Sequence, residues 1–429
     1  MYTYLYIFSF FKSFYPIRSF VTEYMVQSKK LKNSDIYNIS MTYFFLLSMI
    51  IPIVYFLFSF LGNKIWLYVY VIVDELANII LLKLPKENIF YSNIYAGLCG
   101  ISSSVVSSTH TIVYDIIPDK NTRNKMMGRY QTFRRFVQIF GTFLGQNLRI
   151  DSGSNITSLY ITIIFGGVAV FFVYLLEPQK SSFTTPVLHY IFKIGIKKYF
   201  KEVYSVEIIF YSLMNIIASI IFVSFAVYSS SILIERKKNT NLNLRYFSNF
   251  LLIIFYPLKL FSFTIIKLFS LFSSKVSIKN EADPDIILFG YINGLCKLIS
   301  ILISYPIIST TFSPISLKIW NIVFVILIFL LTFMLNRYTS ILSTYIIFIL
   351  GFGCSSTLIS LSHNGFNKVK RINDISSTNL FISTVIHVFI TYLSKRMKSN
   401  AAQKLHYYLG VSMVLFIIGI SLFTYELTI

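Results

Sequence analysis

Apolar runs of about twenty residues recur from one end of this chain to the other, separated by short stretches rich in Lys, Arg, Asn and Ser. A run such as "IWLYVYVIVDELANIILLKL", at a helical rise of about 1.5 Å per residue, is long enough to cross the roughly 30 Å hydrocarbon core of a bilayer. No water reaches the backbone there, and a helix satisfies its own N–H and C=O groups within the segment. Only 13% of the 429 residues are charged, against about a quarter in soluble chains. So few charges cannot cover a water-facing surface, and much of this surface must face lipid. The sequence therefore predicts an all-α, polytopic membrane protein.

Counting runs of membrane length gives spans near 1–16, 41–61, 65–85, 94–117, 130–148 and 156–176, then near 206–233, 285–309, 315–336, 339–361, 375–393 and 407–427. Between the two sets lies a polar, lysine-bearing connection. The plan is about 12 transmembrane helices in two six-helix bundles: an N-terminal half over 1–176, a basic cytoplasmic linker over 177–205, and a C-terminal half over 206–429. This is the gross plan of the major facilitator architecture, which places a substrate site between the halves near the midplane. An additional apolar segment at 246–272 is interrupted by Pro257, Lys259 and Lys267. It is expected to lie on the surface or re-enter, since a full crossing would invert everything after it.

The opening "FFKSFYPIRSFVTEY" fits a secretory leader badly, because Lys12 follows the apolar run and no small-residue cleavage site appears. It reads as the outer end of the first span. Lys and Arg slightly favour the loops that an inside placement of both termini assigns to the cytoplasm. The two sequons, at Asn38 and Asn155, fall in loops assigned to the outside. A net charge of +21 invites a nucleic-acid reading. The basic clusters "SKKLKN", "DKNTRNK" and "ERKKNT" are short and sit between apolar runs, so they suit membrane-surface anchoring instead.

Ionisable groups inside spans are costly and mark functional sites, unless they lie near a span end and snorkel to the headgroups. Lys12, Asp115 and Lys297 lie near predicted boundaries, so either account applies to them. Asp74 and Glu75 lie midway along the third span. Their side chains project about 100° apart, so at most one faces a central cavity and the other pairs with a neighbouring helix or holds a proton. Each therefore carries either a binding or proton role, or an interhelical pairing role. His110 and His387 are mid-span histidines, each either a hydrogen-bonded packing group or a site residue. Tyr228 and Asn293 are polar groups where a cavity wall is expected, and Gly290 and Gly294 have the spacing of close helix packing. Cys99, Cys296 and Cys354 read as small packing residues. The five histidines show no catalytic or metal-binding spacing, so the sequence predicts no enzyme, no metal and no cofactor.

Six stretches resemble, in order, the reduced folate carrier and thiamine transporter family. "FFKSFYPIRSFVTEY" is similar to the family's first-helix signature at Phe11, Pro16, Phe20, Thr22 and Tyr24. "TYFFLLSMIIPIVYFL" resembles its second span, and "DKNTRNKMMGRYQTFRRFVQIFGTFLGQNL" its fifth helix, down to Leu144–Gln146. "FYSLMNIIASIIFVSFAVYSSSIL" resembles helix seven, "INGLCKLIS" the start of helix eight, and "TNLFISTVIHVFITY" a late helix. His387 aligns where folate-type members carry Lys and thiamine-type members Gln. The resemblance implies transport of a vitamin, thiamine or a reduced folate, by alternating access across the plasma membrane, with the lipid bilayer and a small-molecule substrate as partners and no nucleic acid.

Departures from the family bear on substrate. Arg18 stands where the family has Glu, and Lys297 where helix eight has Glu. Ser107 and Ile349 replace charged positions of helices four and ten, and "SFLGNK" lacks the Asp and Arg of the usual loop after helix two. These losses endorse neither vitamin. They also leave open a divergent, non-transporting relative that acts as a membrane receptor or binding partner.

Overall fold

A computed structural model describes residues 2–58, 63–105, 120–152, 155–176, 195, 198, 204–238, 289–309, 313–337, 340–366, 372–397 and 401–428. The segment 246–272, most of the linker 177–205, His110, Asp115 and Ser107 lie outside the described residues. Twelve long helices run through the described ones. They are α1 (Tyr2–Ser13), α2 (Met41–Phe58), α3 (Asn63–Lys83), α4 (Ile89–Val105), α5 (Lys120–Ser152) and α6 (Ile156–Leu175), then α7 (Val206–Lys238), α8 (Phe289–Ser309), α9 (Pro314–Arg337), α10 (Ile341–Gly365), α11 (Ile372–Arg396) and α12 (Ala401–Thr428).

The first span is broken where the sequence places a proline. Pro16 offers no N–H and disfavours helical geometry at the residue before it. Tyr15 is accordingly extended, at φ −129° and ψ 75°. Tight turns over Pro16–Phe20 and wide turns over Tyr24–Ser28 follow. Lys30 ends this run in the left-handed region, at φ 58°. The Leu31 N–H then reaches back to the Met25 carbonyl at 3.1 Å, a helix-stop geometry. The break re-aims residues 14–20 away from the axis of α1 and against α5, α6 and α8.

The helices pair by a rule that repeats six elements later. Within α1–α6, α1 packs on α5 and α6, α2 on α4, and α3 on α4 and α6. Within α7–α12 the corresponding pairs are α7 on α11 and α12, α8 on α10, and α9 on α10 and α12; α7 also packs extensively on α10, where α1 and α4 have no contact of like extent. The two six-helix bundles meet along two seams, α2 against α11 and α5 against α8, which exchange under the same six-element shift. At the second seam Gly290 and Gly294 let the backbones close. A Cβ on Gly290 would overlap the Thr142 carbonyl, and one on Gly294 the Phe143 ring.

Seven helical stretches among the described residues are long and apolar enough to cross a membrane, and they include the bodies of α3, α6, α9 and α12. The outward faces of these four carry Ile72, Leu76, Ile164, Phe171, Leu330, Phe333, Val414 and Ile417, all exposed as a lipid-facing belt requires. Helices α5, α8 and α11 are less apolar because they turn Thr142, Gln146, Asn147, Lys297, Asn379, Thr384, His387 and Thr391 inward, all of them buried.

Candidate functional site

Three polar clusters interrupt the apolar interior. The first lies within the N-terminal bundle. Lys12, on the last turn of α1, is 4% exposed at its side chain and forms an ion pair and hydrogen bond with Asp74 of α3. Its Nζ also lies 3.6 Å from Glu75 Oε1 and 4.7 Å from the centre of the Tyr70 ring. Asp74 takes a second hydrogen bond from Ser102 Oγ of α4 at 3.1 Å. Glu75 turns toward α6, where Gly166 leaves room for it: a Cβ there would overlap the carboxylate. Glu75 Oε2 and Asn78 Nδ2 are buried and complete no hydrogen bond, while Asn78 Oδ1 accepts one from Tyr15.

Adjacency on α3 predicts that the two carboxylates diverge. They do, toward α4 and α6, yet one ammonium serves both. Lys12 does not snorkel; it is held inside by that pair. Sequence reasoning had no local signal for this, since Lys12 and Asp74 are 62 positions apart.

The second cluster lies where the bundles meet. Arg18, carried by the broken segment after α1, is exposed between the buried Ile17 and Phe20. It is within electrostatic reach of Tyr95 and Cys99 of α4 on one side and of Lys297 of α8 on the other. Lys297 is buried at 7% exposure. One turn earlier on α8, Asn293 donates to Ser19 Oγ at 2.8 Å, and two turns earlier the Gly290 N–H donates to Gln146 Oε1 at 2.9 Å. Arg135 of α5 reaches the Ser300 carbonyl at 3.5 Å. Among the described residues neither Arg18 nor Lys297 forms an ion pair, so two basic side chains lie within each other's electrostatic reach at the seam.

The third cluster is built of uncharged groups around His387, with one buried ammonium, Lys404, at its edge. His387 of α11 has Nδ1 2.7 Å from the Ser383 carbonyl and Nε2 3.2 Å from the Ile220 carbonyl of α7; both are acceptors, so the neutral ring donates to one of them at a time. Its ring stacks on Phe45 of α2, with centroids 4.5 Å apart, and leans on Tyr408 of α12 at 4.8 Å. The Tyr408 hydroxyl lies 3.0 Å from Thr391 Oγ1 and 3.5 Å from the Tyr228 hydroxyl. Above the Tyr228 ring, fully buried Lys404 donates to the Tyr37 carbonyl at 3.0 Å and to Asn38 Oδ1 at 2.8 Å. This ties α12 to the N-terminal bundle just before α2.

The structure thus gathers Asp74 with Glu75, Asn293 with Lys297, and Tyr228 with His387, in three separate places. Phe45, Tyr408, Lys404 and Gly166 complete them and carried no signal in sequence. Neither sequon asparagine stands free: Asn38 is held by Lys404, and Asn155 is 2% exposed. Among the described residues no three His, Cys, Asp or Glu side chains converge as a metal site would.

Lipid-facing outer helices, inward polar groups and two symmetric seams define a multi-pass, all-helical membrane protein of major facilitator architecture. No family model and no curated protein matches the sequence. Solved structures do share the fold. A mutant form of the nucleoside transporter NupG aligns over 98% of this chain and 99% of its own, with a TM-score of 0.58 and 14% identity. The human organic anion transporter MFSD10 (TETRAN) aligns over 97% and 98%, with a TM-score of 0.56 and 11% identity. Another NupG structure gives a TM-score of 0.52 at 15% identity, over 98% of each chain.

Proposed function

We propose that this chain carries a small organic solute across a membrane by alternating access, its halves 1–176 and 206–429 rocking about a site at the α5–α8 seam and joined by the basic linker 177–205. The observation that carries this reading is the pair Arg18 and Lys297, two cations facing the junction of the bundles with no ion pair among the described residues. Of the two, Lys297 is buried, where charge is costly unless a partner arrives to share it, and Arg18 stands exposed at the same junction. A carboxylate-bearing substrate is such a partner, and Arg18 offers it a planar, bidentate fork. A cationic thiazolium would be repelled.

Within the vitamin class implied by the resemblance, these cations favour an anionic, reduced-folate-like substrate over thiamine. Asn293, beside Ser19 at the same seam, serves to orient it. The plasma membrane is the location the resemblance implies, and the slight Lys and Arg bias of the loops favours both termini in the cytoplasm. Uptake of radiolabelled folate, methotrexate and thiamine into cells expressing the chain tests the proposal, with Lys297→Ala and Arg18→Ala alongside. The expected result is saturable uptake of the anions, lost in both variants at unchanged surface level. Saturable thiamine uptake that survives Lys297→Ala would overturn the substrate assignment. No uptake of any probe by surface-resident protein would favour the receptor reading, to which the neutral Ile349 and Ser107 also point.

A further inference from the structure

The Lys12 cluster lies inside one bundle, away from the α5–α8 seam, and a substrate site at that seam makes no use of it. Its charges do not balance: one ammonium against two carboxylates leaves one negative charge when all three are ionised. Lipid surroundings disfavour such a remainder, and one bound proton removes it. The hydrogen bonding says which carboxylate takes the proton. Asp74 has both oxygens engaged as an ionised acceptor, one by Lys12 and one by Ser102 Oγ. Glu75 has one oxygen 3.6 Å from Lys12 and a second, Oε2, that is buried and forms no hydrogen bond of full geometry, with the Asn78 amide as a polar neighbour on α3.

Among the described residues the groups facing this pair are Lys12 from α1, Tyr15 from the break after it, Tyr70 and Asn78 from α3, and Tyr95, Cys99 and Ser102 from α4. The contact from α6 is Gly166, whose missing side chain makes the seat.

We propose that Glu75 binds and releases a single proton during the transport cycle, making Lys12–Asp74–Glu75 a proton-coupling site distinct from the substrate site. The proton passes from water on one face to Glu75 Oε2 and leaves as a proton to the other face, the cluster alternating between one negative charge and none. Two features link this site to the seam. Lys12 and Arg18 lie on one short stretch of chain, so a displacement of Arg18 by a bound anion pulls on the Lys12 contacts. Cys99 of α4 lies in the field of Asp74, Lys12 and Arg18 together.

Proton binding at Glu75 stands independently of the transport reading; its coupling rests on that reading. The test uses the full chain in liposomes and two readouts. Infrared difference spectra follow the protonated-carboxyl band as pH is swung, and radiolabelled methotrexate is followed both in counterflow exchange and in accumulation driven by a pH gradient. Glu75→Gln is expected to lose the titrating band and gradient-driven accumulation while keeping exchange. Lys12→Gln is expected to enlarge the band, since both carboxyls then hold protons. A band of parental size in Glu75→Gln, or no enlargement in Lys12→Gln, would overturn the proton site. Gradient-driven accumulation unchanged in Glu75→Gln would overturn the coupling. Absence of exchange in the parent would count against methotrexate transport, and the infrared titration would still decide the site.

Discussion

The two bundles share one packing rule and fill it with different chemistry. In the N-terminal bundle α1, α3 and α4 are joined by an ammonium and two carboxylates, Lys12, Asp74 and Glu75, with neutral hydrogen bonds from Ser102 to Asp74 and from Tyr15 to Asn78 beside them. In the C-terminal bundle α7, α11 and α12 are joined by imidazole, hydroxyls and backbone carbonyls around His387, Tyr228, Tyr408 and Thr391. A charged cluster in a low-dielectric interior depends steeply on each partner, because removing one strands the others. A neutral network loses about one hydrogen bond at a time. The Lys12 cluster is therefore built to respond to charge, and the His387 network to hold its shape.

The largest break in that contrast comes from Lys12→Met, which leaves two carboxylates without their cation. It is expected to cost about 3–5 kcal/mol of stability, read as thermal unfolding in detergent, with much of the loss recovered by adding Asp74→Asn. Gly166→Val comes next, at about 1–3 kcal/mol from overpacking against Glu75. Its discriminating control is relief by Glu75→Ala and no relief by Asp74→Ala. On the neutral side His387→Phe keeps the stacking on Phe45 and forfeits the ring's one N–H bond to a backbone carbonyl, for about 0.5–1.5 kcal/mol. The pH dependence of uptake is expected to be unchanged in His387→Phe and flattened in Glu75→Gln. If His387→Phe also flattens it, the division of labour between the bundles fails. Tyr228→Phe is the smallest change, about 1 kcal/mol or less, because its hydroxyl contact with Tyr408 spans 3.5 Å.

Lipid made the helices legible. A spanning segment must be long and apolar, so runs of hydropathy located helices α1 to α12 to within several residues. Their ends were harder to place, because polar extensions such as Lys120–Tyr130 continue α5 beyond its apolar run. Pro16 announced the break in α1, since its chemistry acts on its own neighbours. The partners of Lys12, Lys297 and His387 were not legible. Each is met by residues from helices distant in sequence, and a one-dimensional pattern carries no record of which helix packs beside which. The same limit applies to Gly166, whose role exists only because Glu75 points at it. The resemblance in six stretches agrees with the observed fold, while the vitamin it implies remains a proposal.

Alternating access requires the bundles to part where they now touch. Asn33, just before α2, donates to the Ser231 carbonyl near the end of α7 at 3.5 Å, a contact between the halves. In a background with Cys99, Cys296 and Cys354 replaced by Ala, the pair Asn33→Cys and Ser231→Cys would place a disulfide across that contact. Uptake of radiolabelled methotrexate is then measured before oxidation, after it, and after reduction. The account predicts that oxidation abolishes uptake and reduction restores it. Uptake at the unlocked rate through bundles held together by a formed disulfide would contradict it.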